Sequence, residues 1–369
     1  MELPHIDLPD IDLPNVELPH VDLPHVDLPN VDLPHVDLPH VELPHVDLPH
    51  VELPHVELPN VDLPNVSLPT QVKPYSRMDE IPSGTASDVV VDGCLVLEGG
   101  AFRGLYTQGF LDAMMLNDLN LQCAIGVSAG ALSAISYVSG QIGHSARVNL
   151  GYRHDSRYIG AKALLHSRSP LDVGFLTEDR GVFEPLDEER FNRPERRFVA
   201  VATNCLTGEP TYFERGKCSD IMLAARASAT IPLISPMVMI DDVPYLDGGC
   251  SCKIPYQWAL DQGFQKILVV RTREWGYRKE AKEDTAVLKV YRGYPEFARK
   301  LSVNSFAYNI QCDELEQLDA EGKLMQIAPS EPVRISNLEG DLEKLGSLYW
   351  LGYQDCLDHM DNLKAYFLG

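Results

Sequence analysis

The chain has 369 residues and a formal net charge of −23, with 31 Lys and Arg against 54 Asp and Glu. It has no basic stripe, so nucleic acid is excluded as a partner, and an anionic membrane surface would repel the chain at long range. No run of 18 apolar residues and no basic, apolar leader is present, so we predict no transmembrane segment and a cytoplasmic protein.

Residues 1–70 repeat a five-residue unit that reads acid-Leu-Pro-(His/Asn/Asp)-(Val/Ile). Proline in every unit removes an N–H and fixes φ, which excludes an α-helix. Two interpretations stay open, a non-globular acidic tail and a pentapeptide-type β-solenoid. The recurring proline counts against the solenoid, because it removes a coil-to-coil donor each time. The repeat holds 14 of the acidic residues and no basic ones, which leaves a net charge of −9 over residues 71–369.

Residues 71–92 contain several Pro, Ser and Gly residues and are predicted to be a linker. An α/β pattern begins after them. Residues 94–97 (Cys-Leu-Val-Leu) predict a buried strand, and residues 99–104 (Gly-Gly-Ala-Phe-Arg-Gly) a turn that leads into a helix. Such a turn points several backbone N–H groups at one place and suits an anion. Dinucleotide binding is the rival interpretation, but Ala101 breaks the G-x-G-x-x-G pattern, so we predict no organic cofactor.

Residues 126–130 (Gly-Val-Ser-Ala-Gly) predict a nucleophile elbow, a sharp strand-to-helix turn with Ser128 at its tip. The apolar residues 123–125 lead into it as a strand, and a small-residue helix follows. Gly126 and Gly130 lack a Cβ, so the helix can pack close to the strand.

Further strands are predicted at 198–203, 211–213 and 266–270, a helix at 219–229, and a hairpin from 237–240 and 243–246. The hairpin leads into residues 247–249 (Asp-Gly-Gly). Residues 141–195 are polar and give no clear assignment. The region from about 285 to 369 has mostly helical periodicity.

Four motifs in this order resemble those of the patatin-like acyl hydrolases, in particular the bacterial patatin-family phospholipases. They are the turn at 99–104, the elbow at 126–130, residues 227–232 (Ala-Ser-Ala-Thr-Ile-Pro) and residues 247–249. The resemblance implies a three-layer α/β/α domain with a mostly parallel central sheet over 93–275, followed by a mostly helical region over 276–369. Ala101 stands where the family usually has glycine, and alanine tolerates ordinary φ only.

The resemblance also implies roles for individual residues. Ser128 would be the nucleophile and Asp247 the base of a Ser-Asp dyad. The N–H groups of Gly99, Gly100 and Ala101 would hold the oxyanion, with Arg103 adding positive charge near the turn.

Each of these roles has an alternative. Asp247 also suits an ordinary turn before Gly248, and Arg103 an exposed helix start. Ser228 is expected to pack or cap a helix. A Ser-Asp-His triad would need His359, because it is the only histidine after Asp247, and its helical surroundings argue against that role.

The predicted function is hydrolysis of lipid esters, of phospholipid or lysophospholipid type, without metal or organic cofactor and with a membrane surface as a candidate place of action. The Cys250 and Cys252 pair is too isolated to predict a metal site, and the scattered cysteines suit reduced buried thiols. Residues 231–239 would line an acyl-chain pocket or form a core strand. The alternative function is a catalytically silent binding protein in which the repeat is the working part.

Overall fold

The computed structural model describes residues 73–177 and 184–369. The repeat at 1–70 lies outside these residues, and so do both interpretations of it. The strands are β1 Gly84–Thr85, β2 Val91–Leu97, β3 Leu121–Val127, β4 Gln141–Ile142, β5 Arg197–Asn204, β6 Pro210–Glu214, β7 Val238–Ile240, β8 Val243–Asp247, β9 Ile267–Val270 and β10 Met325–Ile327.

Helices lie between and after these strands. They are α1 Gly104–Leu116, α2 Ala129–Ser139, α3 His144–Tyr152, α4 Ala161–Ser167, α5 Gly174–Thr177, α6 Glu188–Phe191, α7 Ile221–Ser228, α8 Tyr256–Asp261, α9 Ala286–Val290, α10 Pro295–Ser302, α11 Asn304–Ala320, α12 Leu342–Asp358 and α13 Met360–Leu368. Short 3-10 turns span Met78–Glu80, Ala101–Arg103 and Gly248–Cys250.

Among the described residues, eight strands form one sheet in the order β10-β9-β2-β3-β5-β8-β7, with β6 also paired to β5. The neighbours from β10 to β5 are parallel, whereas β6, β7 and β8 run antiparallel to their partners. The prediction of a mostly parallel central sheet is therefore confirmed. The strands and the helix predicted from the sequence are also present, with ends that differ by at most three residues.

Both faces of the sheet are buried, as alternation along β2 shows. Leu95 and Leu97 join an apolar cluster with α1, α2 and α12, while Cys94 and Val96 join another with α8 and α11. Since successive strand residues point to opposite faces, the sheet lies between two helical layers.

The C-terminal region shares the core of the domain before it. Strand β10 extends the sheet by pairing with β9, an addition that the helical expectation for 276–369 missed. Helix α12 lies against α1, where Tyr106 donates to Asp355 at 2.9 Å and Tyr349 donates to Asp112 at 2.8 Å. Strand β10 has only three residues, which is too short for a reliable alternating pattern.

Residues 73–92 also depart from the expected linker. The ring of Tyr75 is buried, and its hydroxyl accepts a hydrogen bond from Trp350 at 3.0 Å. Strand β1 pairs with β4, and Val91 already belongs to the central sheet. Apolar residues in this stretch find partners far along the chain, so a composition rich in Pro and Gly did not indicate a free segment here.

Candidate active site

Ser128 lies at the sharp turn between β3 and α2. Its backbone has φ 55° and ψ −125°, a strained conformation for a residue with a side chain. A Cβ added to Gly126 would lie 2.5 Å from the backbone N of Ala131, and one added to Gly130 would lie 2.6 Å from the carbonyl O of Leu97. Only glycine fits at these two positions, because the helix passes this close to the strands.

Strand β5 brings Asp247 to the same place. Val127, the last residue of β3, pairs with Val201 of β5, and Asp247 pairs with the next residue, Ala202. Strand β6 pairs with residues of β5 on both sides of this point, so it occupies the opposite edge. Strands β3 and β8 therefore meet end to end along one edge of β5, and the residue after β3 faces the residue that ends β8.

The two side chains are hydrogen bonded. Ser128 Oγ donates to Asp247 Oδ2 at 2.7 Å, and the N–H of Gly249 donates to Asp247 Oδ1 at 2.7 Å. Ser128 is 8% exposed and Asp247 is 9% exposed. Burial raises the pKa of Asp247, although the bonds from Ser128 and Gly249 and the charge of Lys253 act in the opposite direction. A carboxylate with a raised pKa accepts a proton more readily than an exposed one.

Ser228 orients the nucleophile through the backbone. It lies at the end of α7, is fully buried, and its Oγ accepts a hydrogen bond from the N–H of Ser128 at 2.9 Å. The sequence suggested only packing or capping at this position. The contact spans 100 residues of sequence, and no local pattern indicates it.

The glycine-rich turn lies beside Ser128. Among the residues that the structure describes, the N–H groups of Gly100 and Ala101 donate no hydrogen bond, whereas the N–H of Gly99 points to the carbonyl of Lys253 at 3.4 Å. Ala101 has φ 48°, so the expectation of an ordinary φ at this alanine is wrong. An alanine can adopt this left-handed conformation at a cost of about 1 kcal/mol.

Hydrogen bonds of Glu98 and of its partner Thr272 hold the glycine-rich turn in place. Its Oε2 accepts from the N–H of Thr272 at 2.6 Å and from Nε of Arg271 at 3.1 Å, and Thr272 Oγ1 donates to the carbonyl of Gly99 at 3.2 Å. Burial alone would raise the pKa of Glu98, but Arg271, the Thr272 N–H, Tyr308 and Arg103 together outweigh it and lower that pKa. Sequence reasoning missed Glu98, because its partners lie more than 170 residues further along the chain.

Arg103 is half-buried, which differs from an exposed helix-start arginine. Its Nη1 donates to Asn337 Oδ1 at 2.7 Å, and it lines the same cleft as Ser128 and Asp247. Its Nε is buried and has no hydrogen-bond partner. The guanidinium therefore lies within the cleft that Ser128 lines.

The cleft has a polar arm and an apolar arm, and Ser128 lines both. The polar arm has a volume of about 420 Å³ and also includes Asp247 and the glycine-rich turn. The apolar arm is narrower, about 50 Å³, and its lining is mostly apolar: Phe102, Leu105, Leu132, Tyr158, Leu171, Val173, Ala229 and Ile231. An ester bound at Ser128 would thus have a polar space on one side and an apolar one on the other.

Residues 231–239 follow neither of the two expectations as a whole. Ile231 lines both arms, but residues 235–239 line a separate cavity of about 250 Å³. Leu233, Ile234 and Met239 are exposed. Leu233 has φ 71°, and its N–H donates to Tyr291 Oη at 2.7 Å. This segment therefore places apolar side chains at the surface next to the cleft.

None of the four histidines outside the repeat lines either arm. His359 is exposed between α12 and α13, and His144 is bonded to Ser136 and to the carbonyl of Glu184. Across residues 73–177 and 184–369, no cluster of three or more His, Cys, Asp or Glu side chains is arranged to hold a metal ion. In the same part of the chain, no helix is both long and apolar enough to span a bilayer.

Two family models match the chain. The model described as patatin-like phospholipase matches residues 95–260, which include every site residue predicted from the sequence. A second model, a domain of unknown function (DUF6363), matches residues 294–368.

Two curated relatives and one solved structure are similar to the chain. "Uncharacterized protein YjjU" of Escherichia coli (strain K12) is 30% identical over 183 residues, which cover 48% of this chain and 51% of that protein. "Probable lipid hydrolase 463L" of Invertebrate iridescent virus 6 is 24% identical over 183 residues, which cover 45% of this chain and 62% of that protein. The chain thus spans less than two thirds of either relative. The crystal structure of VipD from Legionella pneumophila aligns with a TM-score of 0.44 at 14% identity, over 76% of this chain and 68% of that one. Residues 95–260 are thus similar to the patatin-like phospholipases.

Proposed function

We propose that this chain is a serine acyl hydrolase that cleaves carboxylic esters of lipids through Ser128 and Asp247. One observation carries the proposal, the 2.7 Å hydrogen bond from Ser128 Oγ to a buried carboxylate with a raised pKa. A serine hydroxyl is a weak nucleophile until a nearby base accepts its proton. Among the described residues no histidine lines the cleft, and Asp247 is the base in contact with Ser128.

The reaction proceeds in two halves. Ser128 Oγ attacks the ester carbonyl carbon, its proton moves to Asp247, and a tetrahedral oxyanion forms. The intermediate collapses, the alcohol leaves with the proton from Asp247, and the acyl group stays on Oγ. A water molecule then attacks the acyl-enzyme and gives a proton to Asp247. The second intermediate collapses, the carboxylic acid is released, and Asp247 returns the proton to Oγ.

The glycine-rich turn would stabilise the oxyanion. The N–H groups of Gly100 and Ala101 are free to donate, and helix α2 begins directly after Ser128, so its first N–H groups also lie next to Oγ. Loss of one such donor typically costs about 3 kcal/mol in barrier. The N–H of Gly99 is a weaker candidate, because the carbonyl of Lys253 already lies within 3.4 Å.

A lipid ester is the substrate class that the surroundings favour. The apolar arm at Ser128 suits the first carbons of an acyl chain, and the polar arm suits the alcohol part. The exposed Leu233, Ile234 and Met239 would let the cleft approach a lipid surface. The description of the family model and the name of the viral relative agree with this class, and we assign the phospholipase or lysophospholipase type within it.

Fluorophosphonate labelling tests the proposal. A tagged fluorophosphonate should label the full-length chain at Ser128, and Ser128→Ala should abolish both labelling and the hydrolysis of p-nitrophenyl butyrate. Ser347→Ala is the matched control, because Ser347 is exposed on α12 and lies outside the cleft. A folded wild-type protein that neither labels nor hydrolyses esters would favour the alternative, a silent binding protein that works through its repeat.

A further inference from the structure

Four cationic side chains line the polar arm of the cleft. Arg103 and Lys253 come from the stretch that matches the patatin-like model, whereas Arg273 and Lys279 lie beyond it. We call these four residues the cationic wall. Residues 71–369 are acidic overall, so positive charge is concentrated here against the average of the chain.

In the part of the chain that the structure describes, no carboxylate is in direct contact with the cationic wall, although Glu98 and Asp247 act on it at longer range. Over the described ranges, none of its four members forms an ion pair with an acidic side chain. Arg103, Lys253 and Arg273 instead donate to neutral oxygens, those of Asn337, Gly249 and Val333, at 2.7, 2.7 and 2.6 Å.

The acidic side chains nearby are engaged elsewhere. Glu98 is paired with Arg271, and Glu280 lies 3.4 Å from Lys282. Asp247 accepts from Ser128 and Gly249. Partly buried charges are normally paired, so this cluster of unpaired side chains, in which Lys279 is only partly charged near neutral pH, favours the binding of an anion.

The cations are held in place before any ligand binds. The backbone of Lys279 is bonded twice to the side chain of Asn309 on α11, at 2.8 and 2.9 Å, and its ammonium lies 4.8 Å from the ring centre of Tyr308. The guanidinium of Arg273 lies 4.5 Å from the ring centre of Tyr277. Ordering these side chains would therefore cost little when an anion arrives.

Burial and the neighbouring cations disfavour the charged form of Lys279. Burial lowers the pKa of Lys279 to about 7, and repulsion from Lys253 and Arg103 adds to this effect, while Glu98 opposes it. The other charged or titratable groups that line the arm are Arg273, Glu280, Asp247, Cys250, Tyr277 and Tyr308. An anion between the lysines would relieve the repulsion and favour the charged form of Lys279.

We propose that the cationic wall binds a compact dianion of the phosphate-monoester class, carried by the alcohol part of the ester that Ser128 cleaves. The inference rests on the proposed function for the direction of the ester, since the acyl chain takes the apolar arm and leaves the alcohol facing the wall. Arginine and lysine are the side chains that bind phosphate best, through charge-assisted hydrogen bonds. Arg273 and Lys279 would thereby help to select the substrate.

A matched pair of esters tests the substrate form of the proposal. 2-(Butanoyloxy)ethyl phosphate and 2-methoxyethyl butanoate share the acyl group and differ in the dianion. The full-length wild type should have the higher kcat/KM for the phosphate ester. Lys279→Gln and, independently, Arg273→Gln should each lower the phosphate-to-neutral ratio about tenfold. Lys289→Gln removes the same charge at an exposed position on α9 and should leave the ratio unchanged.

Calorimetry of sulfate and inorganic phosphate binding to the Ser128→Ala protein separates a free anion from a substrate group. Sulfate does not titrate near neutral pH, so its binding at pH 7.5 should take up protons as Lys279 becomes charged, and Lys279→Gln should remove both the uptake and most of the affinity. Sulfate binding that depends on Lys279 without a preference for the phosphate ester would overturn the substrate form and leave a free-anion site. A ratio and a sulfate affinity that both ignore Lys279 and Arg273, in folded variants, would overturn the proposal outright. The calorimetry needs no turnover, so it decides the anion site even if the chain hydrolyses neither ester.

Discussion

The Asp247→Asn variant separates the base from the rest of the cleft, because asparagine has nearly the shape of aspartate. In the wild type, Oδ1 accepts from the N–H of Gly249 and Oδ2 accepts from Oγ of Ser128, both at 2.7 Å. Asparagine keeps one oxygen for Gly249, so its NH₂ group faces Ser128. That group donates to Oγ and cannot accept its proton. The variant therefore keeps the turn and loses the base.

The expected loss is about 10³-fold in kcat/KM, or about 4 kcal/mol, within the range that a positioned base contributes. The rate of fluorophosphonate labelling at Ser128 should fall by a similar factor. Because Asp247 must be ionised to act, and burial raises its pKa, the wild-type kcat/KM should rise with pH through a value above the ordinary carboxyl range. This acid limb should be absent from the residual activity of Asp247→Asn.

Asp341→Asn is the matched control for this variant. Asp341 caps α12 by accepting from the N–H groups of Glu343 and Lys344, and asparagine caps helices equally well. The control should retain full activity and the same thermal unfolding temperature. If folded Asp247→Asn keeps more than about a tenth of the wild-type kcat/KM and labels at the wild-type rate, the reasoning about the base is refuted.

Three further predictions concern the neighbours of the dyad. Ser228→Ala leaves the N–H of the nucleophile without its acceptor, so the free energy of unfolding should fall by about 1–3 kcal/mol and fluorophosphonate labelling should slow. The control Ser347→Ala should change neither quantity. Labelling of Ser228→Ala at the wild-type rate would contradict the orienting role. Lys253→Gln removes a cation that lowers the pKa of Asp247, so the acid limb of the kcat/KM–pH profile should move to higher pH. An acid limb at the wild-type pH or at lower pH would contradict this prediction. Gly126→Ala places a Cβ 2.5 Å from a backbone nitrogen and should lower the free energy of unfolding, measured in urea, by at least about 1–3 kcal/mol. The control Gly293→Ala adds a Cβ with nothing within 4 Å and should change that free energy far less. Equal effects of the two substitutions would contradict the packing argument.

Much of the fold could be predicted from the sequence, because its strands are continuous apolar runs bounded by glycine or polar residues. This holds for β2, β3, β5 and β9, which are buried on both faces. The exceptions depend on distant partners. Strand β10 is defined by its pairing with β9, and the burial of Tyr75 involves contact with α12. Neither partner is close in sequence.

The residues of the candidate site also divide into those that a local motif predicts and those that act through distant contacts. Ser128 and Asp247 belong to short motifs with glycines, and a local pattern is enough to predict the turns that carry them. Ser228 and Glu98 act through single hydrogen bonds across 100 or more residues, and no spacing indicates such bonds. The conformation of Ala101 differed from the expectation, because the surrounding turn imposes a φ that alanine rarely adopts alone.

Mass spectrometry of the acyl-enzyme tests the central claim most directly. The wild-type chain, mixed with excess p-nitrophenyl butyrate and quenched in acid within milliseconds to seconds, should carry one butanoyl group on the peptide that contains Ser128. Asp247→Asn should accumulate this adduct far more slowly, and Ser128→Ala should never form it. Ester turnover that persists in Ser128→Ala, or an acyl group on another residue, would contradict the account.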